Sequence, residues 1–188
     1  AEYLDWWEYS GRPSIQVYAA GGERKWFSVL HLHGKGTGIY DVRHHFYRLI
    51  DDQVVTTLVL PAEVRYFWIG MPLHTEVSAI FVPNEPESLS VRFRCRCYAF
   101  EEWSDGSPFF DNEIDVWYKW NEPERRLVPE IPQEDNTKAK LDCLYSGSVM
   151  PAQFLKAFAA EAAELEQHGS LHQRRTVKRL RQWREKEE

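Results

Sequence analysis

From residue 14 to residue 120, short apolar runs alternate with clusters of Gly, Pro, Asp and Asn, and within many runs apolar and polar positions alternate one by one. A period of two belongs to strands with one covered face, and closely spaced turn residues belong to an antiparallel sheet rather than a helical bundle. The pattern predicts strands over 14–19, 25–33, 38–47, 54–60, 64–69, 76–82, 89–100 and 113–120. Their connections contain Gly21 and Gly22, the glycine-rich stretch 34–38, Asp51 and Asp52, Pro61, and the segments 70–72, 83–86 and 104–108. Residues 42–50 suit a short helix as well as a strand, because Val42, Phe46, Leu49 and Ile50 fall on one helical stripe.

The clearest pair is 89–100 with 113–120. On the first, Val91, Phe93, Cys95, Cys97 and Ala99 share one face, and Arg92, Arg94, Arg96 and Tyr98 share the other. Placing Arg96 opposite Asp115 sets Tyr98 against Glu113, Arg94 against Trp117, Cys95 against Val116 and Phe93 against Tyr118. A slip of one residue from that register would bring arginines against Ile114 and Val116.

After residue 120 the pattern changes. Residues 121–147 are rich in Pro and charge and read as an extended tether, with 140–145 adding an edge strand. Pro151 then marks a helix start, and Phe154, Leu155, Phe158, Ala162 and Leu165 form an apolar stripe that ends at Gly169. Ser170 with Gln173 resembles a capping box that opens a second helix, on which Leu171, Val177, Leu180 and Trp183 form a narrow stripe. A helical hairpin joined at Gly169 and Ser170 brings Arg174, Arg175 and Lys178 near Glu161, Glu164 and Glu166. The predicted class is α+β: an antiparallel sandwich or strongly bent sheet in a β-rich domain, 1–147, with a C-terminal helical hairpin, 148–188.

Charge divides the chain. Residues 170–188 carry seven Lys and Arg against three Glu, a net of +4, and residues 1–169 carry 16 against 26, a net of −10. An acidic body disfavours non-specific attraction to nucleic acid and favours a basic partner. No apolar run is long enough to span a bilayer, so no membrane partner is expected. Three cysteines, two of them at 95 and 97 on one strand face, do not suit a secreted disulfide framework and point to buried thiols in a reducing cytoplasm.

Candidate chemistry falls into three groups. Eight Trp exceed the needs of one core, and Trp6 and Trp7 beside Asp5 and Glu8, and Trp103 among Glu101, Glu102 and Asp105, have the composition of interface anchors rimmed by carboxylates. Arg92, Arg94 and Arg96, with Arg174, Arg175, Lys178 and Arg181, have the fork geometry and charge to hold phosphates, although Glu113 and Asp115 are placed to neutralise the strand arginines within the sheet. His31, His33, His44 and His45 lie within 15 residues and contain the donor type of a zinc or iron site, which would support a metal-dependent enzyme. No nucleophile elbow, dinucleotide fingerprint, phosphate loop or metalloprotease motif accompanies them. The leading expectation is therefore a non-catalytic cytoplasmic module, of inhibitor, immunity or adaptor type, that binds a basic protein through an acidic, aromatic-rich surface and needs no cofactor. A nucleic-acid-binding component is the first alternative and a metal-dependent enzyme the second.

Overall fold

The computed structural model describes residues 16–19, 25–67, 73–85, 88–99, 107–131, 136–147 and 149–187. It is an α+β structure in which eight strands precede four helices. The strands are β1 (Gln16–Ala19), β2 (Lys25–Gly36), β3 (Ile39–Ile50), β4 (Gln53–Tyr66), β5 (Leu73–Glu85), β6 (Ser88–Ala99), β7 (Phe110–Asn121) and β8 (Arg126–Pro129). All pair antiparallel in simple sequence order. The helices are α1 (Thr137–Ser146), α2 (Pro151–Ala157), α3 (Ala159–His168) and α4 (Leu171–Glu187).

Turn chemistry accounts for the hairpins. Asp51 and Asp52 both adopt positive φ, 50° and 60°, as a two-residue hairpin matched to strand twist requires. Region 42–50 is strand, because His44 and Phe46 are inward residues in a ladder with β2 and β4. Pro61 does not divide β4. It sits opposite Arg43 where the β3–β4 ladder skips a residue, and a bulge accommodates a residue with no N–H to donate. The strand predicted over 25–33 also continues through Gly34 and Gly36, leaving Thr37 and Gly38 to make the turn.

β5 pairs with β6 along almost its whole length, but with β4 only from Thr75 to Ser78. Beyond that short seam, strands on its two sides meet through side chains: Phe46 and His44 of β3 pack on Phe81 of β5, and the ring centroids of Trp26 of β2 and Trp120 of β7 lie 6.2 Å apart. Arg125 and Asp51 join the β7–β8 and β3–β4 hairpin tips at 2.9 Å.

The tether prediction is corrected at both ends. Residues 126–129 form β8, and 137–146, including the supposed edge strand 140–145, form α1. Leu141 and Leu144 are buried three residues apart, a spacing that a helix turns to one side and a strand sends to opposite faces. The end of α1 is held by β3: the Arg43 guanidinium donates to the carbonyls of Tyr145 and Ser146 at 2.8 and 3.3 Å while pairing with Asp41. A cation at a helix C-terminus meets the negative end of its dipole. Gly147 follows at φ 69°, and a Cβ there would collide with the Val64 side chain, so both conformation and space demand glycine.

The single helix predicted from Pro151 to His168 is interrupted at Phe158, whose backbone leaves helical geometry at φ −114° and ψ 39°. Its fully buried ring packs on Phe110 and Phe154, and Phe154 in turn meets Phe109. The capping box opening α4 is present: Ser170 N donates to Gln173 Oε1 at 2.8 Å, and Gln173 N donates to Ser170 Oγ at 3.2 Å. One hydrophobic cluster runs from Trp26 and Phe46 through Phe93, Leu141 and Phe154 to Val177 and Leu180.

Candidate functional site

β7 supplies a continuous candidate surface. Its inward positions Phe110, Val116 and Tyr118 are buried, so Asp111, Glu113, Asp115 and Trp117 stand on the outer face. The register differs from the predicted one. Arg92 lies opposite Asp115, Arg94 opposite Glu113 and Arg96 opposite Asp111, four residues along β7 from the expected partner of Arg96. An even shift keeps every side chain on its face, so alternation excluded one-residue slips without choosing among even ones.

In this register the arginines are neutralised. Arg92 donates to both oxygens of Asp115 at 2.7 and 2.9 Å, and Arg94 to both of Asp111 at 2.8 and 2.6 Å. Arg96 lies 3.5 Å from Asp111 and 3.8 Å from Glu76. Hydrogen bonds from Arg94 hold Asp111 below the usual carboxylate range, and those from Arg92 do the same for Asp115. Glu113 is the outlying carboxylate, no closer than 3.9 Å to either arginine. Trp117, 48% exposed, and Ile80, 66% exposed on β5 beside Arg92, flank this ladder with apolar surface.

At its Asp111 end the row opens into a groove of about 600 Å³ between β7 and the helices, lined by Phe109, Phe110, Asp111, Glu161, Glu164 and Gln173. Gln173 Nε2 donates to the Phe109 carbonyl at 3.0 Å and fixes α4 to the groove floor. Glu161 is engaged by Lys140 and Asn112 through one oxygen, and its other oxygen is buried with no hydrogen-bond partner among the described residues. Glu164 is exposed and has no partner among them.

The basic helix behaves differently from the strand arginines. Arg174, Arg175 and Lys178 are exposed, and none forms an ion pair among the described residues. The predicted approach to Glu161, Glu164 and Glu166 is realised only by Arg181, which donates to Glu166 at 3.0 Å, while Glu161 takes Lys140 instead.

The four histidines separate. His44 faces the core edge-on to Phe81, and burial lowers its pKa to about 4. His31, His33 and His45 gather together: His33 Nε2 lies 2.6 Å from His45 Nε2, and the His31 and His45 ring centroids are 4.2 Å apart. His33 is the extra residue where the β2–β3 ladder shifts between Leu32 and Gly34, and this bulge re-aims its side chain. Burial, then the neighbouring imidazoles, lowers His45 to about 4; burial also lowers His31 and His33. Among the described residues no group of three or more His, Cys, Asp or Glu is disposed to hold a metal ion, which corrects the four-histidine site.

Cys95, Cys97 and Cys143 are free and buried, and burial raises Cys97 and Cys143, the latter to about 11, as suits inert thiols. Trp6, Trp7, Glu101, Glu102, Trp103 and Asp105 lie outside the described residues. The reading from sequence missed Asp111 and Ile80, and took Glu164 only as a neighbour of the basic helix. Extending the alternation of Glu113, Asp115 and Trp117 backward would have reached Asp111, but the turn-rich segment 104–108 placed the strand start too late. Among the described residues no helix is long and apolar enough to cross a membrane. No family model, curated protein or solved structure matches this chain.

Proposed function

We propose that this chain is a non-catalytic protein-binding module that receives a basic partner along β7 and into the adjoining groove. The observation that carries this reading is the sequence of outward groups on one strand: Asp111, Glu113 and Asp115, then the half-exposed Trp117, with Glu161 and Glu164 across the groove. From Asp111 to Trp117 the row is about 20 Å long, enough for several partner side chains. Trp117 and Ile80 supply apolar anchors, and anchors of this kind dominate binding energy when charged groups surround them. Internal arginines already satisfy Asp111 and Asp115, so Glu113 and Glu164 are the carboxylates left to select a basic partner. A single strongly bent sheet, supported by the continuous strand order and the β2–β7 contact, would present this row convexly. Three buried thiols suit the cytoplasm for such a module.

Capture from an extract of the native host, read by mass spectrometry, tests the reading with wild type beside Trp117→Ala and Glu113→Lys/Glu164→Lys. A basic protein retained by wild type and lost from both variants is the expected result. Identical capture by all three would remove the β7 row as the binding surface.

A second reading rests on α4. Arg174, Arg175 and Lys178 project an exposed positive face without paired carboxylates among the described residues, and nucleic-acid phosphates would complement it. The strand arginines do not join that face in this reading, because their partners occupy them.

A further inference from the structure

The His33 and His45 imidazoles meet at a distance that places strict demands on their chemistry. Two Nε2 atoms 2.6 Å apart cannot both carry a proton, so at least one presents a lone pair to the other. Both rings are partly solvent-exposed, and they come from adjacent strands whose backbones are fixed by the β2–β3 ladder. His31 lies against His45 with centroids 4.2 Å apart and the rings tilted by 37°, and its own Nε2 is engaged with the Tyr47 hydroxyl at 3.1 Å. That contact occupies His31 and braces the ring of His45, leaving His33 and His45 as the convergent pair.

We infer that His33 and His45 form a two-imidazole chelate for a first-row divalent cation, with copper(II) bound more tightly than zinc(II). Metal–imidazole bonds of about 2.0–2.1 Å with angles of about 90–110° put two ligand nitrogens about 2.9–3.4 Å apart. The observed pair needs to open by less than about 1 Å, which small side-chain rotations supply without moving the strands. Water completes the coordination sphere, and the preference for copper follows the general order of divalent affinities for nitrogen donors. The bulge that makes His33 the unpaired residue is the structural device that aims its ring at His45.

Titration of the full chain with copper(II), followed by electron paramagnetic resonance, tests the site. The expected result is one ion per chain with hyperfine structure from two imidazole nitrogens, displaced by a large excess of zinc(II). His33→Ala and His45→Ala should each weaken binding by about tenfold or more, because each removes half of the chelate. His168→Ala, on an exposed histidine of α3, should leave it unchanged. Circular dichroism checks that each variant folds; if one does not, the wild-type nitrogen count decides. Fewer than two coordinated imidazoles, or affinity unaffected by either variant, overturns the inference and identifies an adventitious ion only.

Discussion

The arginines of β6 and the basic residues of α4 look alike as charge in a sequence and end in opposite states. On β6, register brings an acidic strand alongside, so Arg92 and Arg94 each close a two-pronged pair and Arg96 bridges Asp111 and Glu76. On α4, the helix turns its Val177 and Leu180 stripe inward, and Arg174, Arg175 and Lys178 face outward with no acid beside them among the described residues. Availability of a charge is thus a property of its neighbours. A strand offers cross-strand neighbours at about 5 Å, whereas the outer face of a helix has only its own residues three and four positions away.

The most disruptive way to break this comparison is to remove what seats the helices. Phe154→Ala deletes a fully buried ring that packs on Phe109 and Phe110, and should cost about 3–5 kcal/mol in denaturant unfolding. A loss below about 1 kcal/mol would mean that the helices are not anchored through this ring.

The histidines repeat the comparison within one strand, since His44 points into the core and His45 away from it. His44 falls from 6.5 to about 4 because burial penalises its charged form. Between those values the unfolded chain binds more protons, so stability is complete above about pH 6.5 and falls as pH drops toward 4. The decline due to His44 should be on the order of 2–3 kcal/mol in urea unfolding at pH 7.5 and 4.5, and His44→Leu should reduce it. A pH-independent stability over that interval would refute a neutral core histidine.

Smaller still is the effect on polyanion binding. Arg174→Gln/Arg175→Gln/Lys178→Gln should lower affinity for single-stranded RNA at low salt by about tenfold and reduce the salt slope by about two, whereas Arg92→Gln should change neither. Equal losses from both variants would erase the distinction between the two regions. The smallest effect is within the ladder itself. A double-mutant cycle on Arg94 and Asp111 should give only weak coupling that shrinks with salt, because both groups are substantially exposed. Strong coupling that added salt leaves unchanged would show a buried pair instead.

Much of this organisation was legible before any coordinates. The alternation of Val91, Phe93, Cys95 and Cys97 with Arg92, Arg94 and Arg96 predicted both faces of β6, and Ser170 with Gln173 marked the start of α4. The errors have a common origin. Pro61 marks a strand end in the sequence pattern, but its effect on a ladder depends on whether its own strand bulges there, and Phe158 falls on the helical stripe, but its ring packs on Phe110, nearly fifty positions away. The β7 row was recovered in part, with Glu113, Asp115 and Trp117 visible and Asp111 hidden behind a turn-rich segment.

Local sequence alone determined which side chains share a face, where hairpins turn and where α4 begins, because these depend on backbone periodicity and on contacts a few residues apart. Only the tertiary structure decided which arginine meets which carboxylate, that His44 parts from His45 and that Gly147 fits against Val64. Those outcomes depend on the register between strands and on packing between distant segments, and a period of two is equally satisfied by every even register.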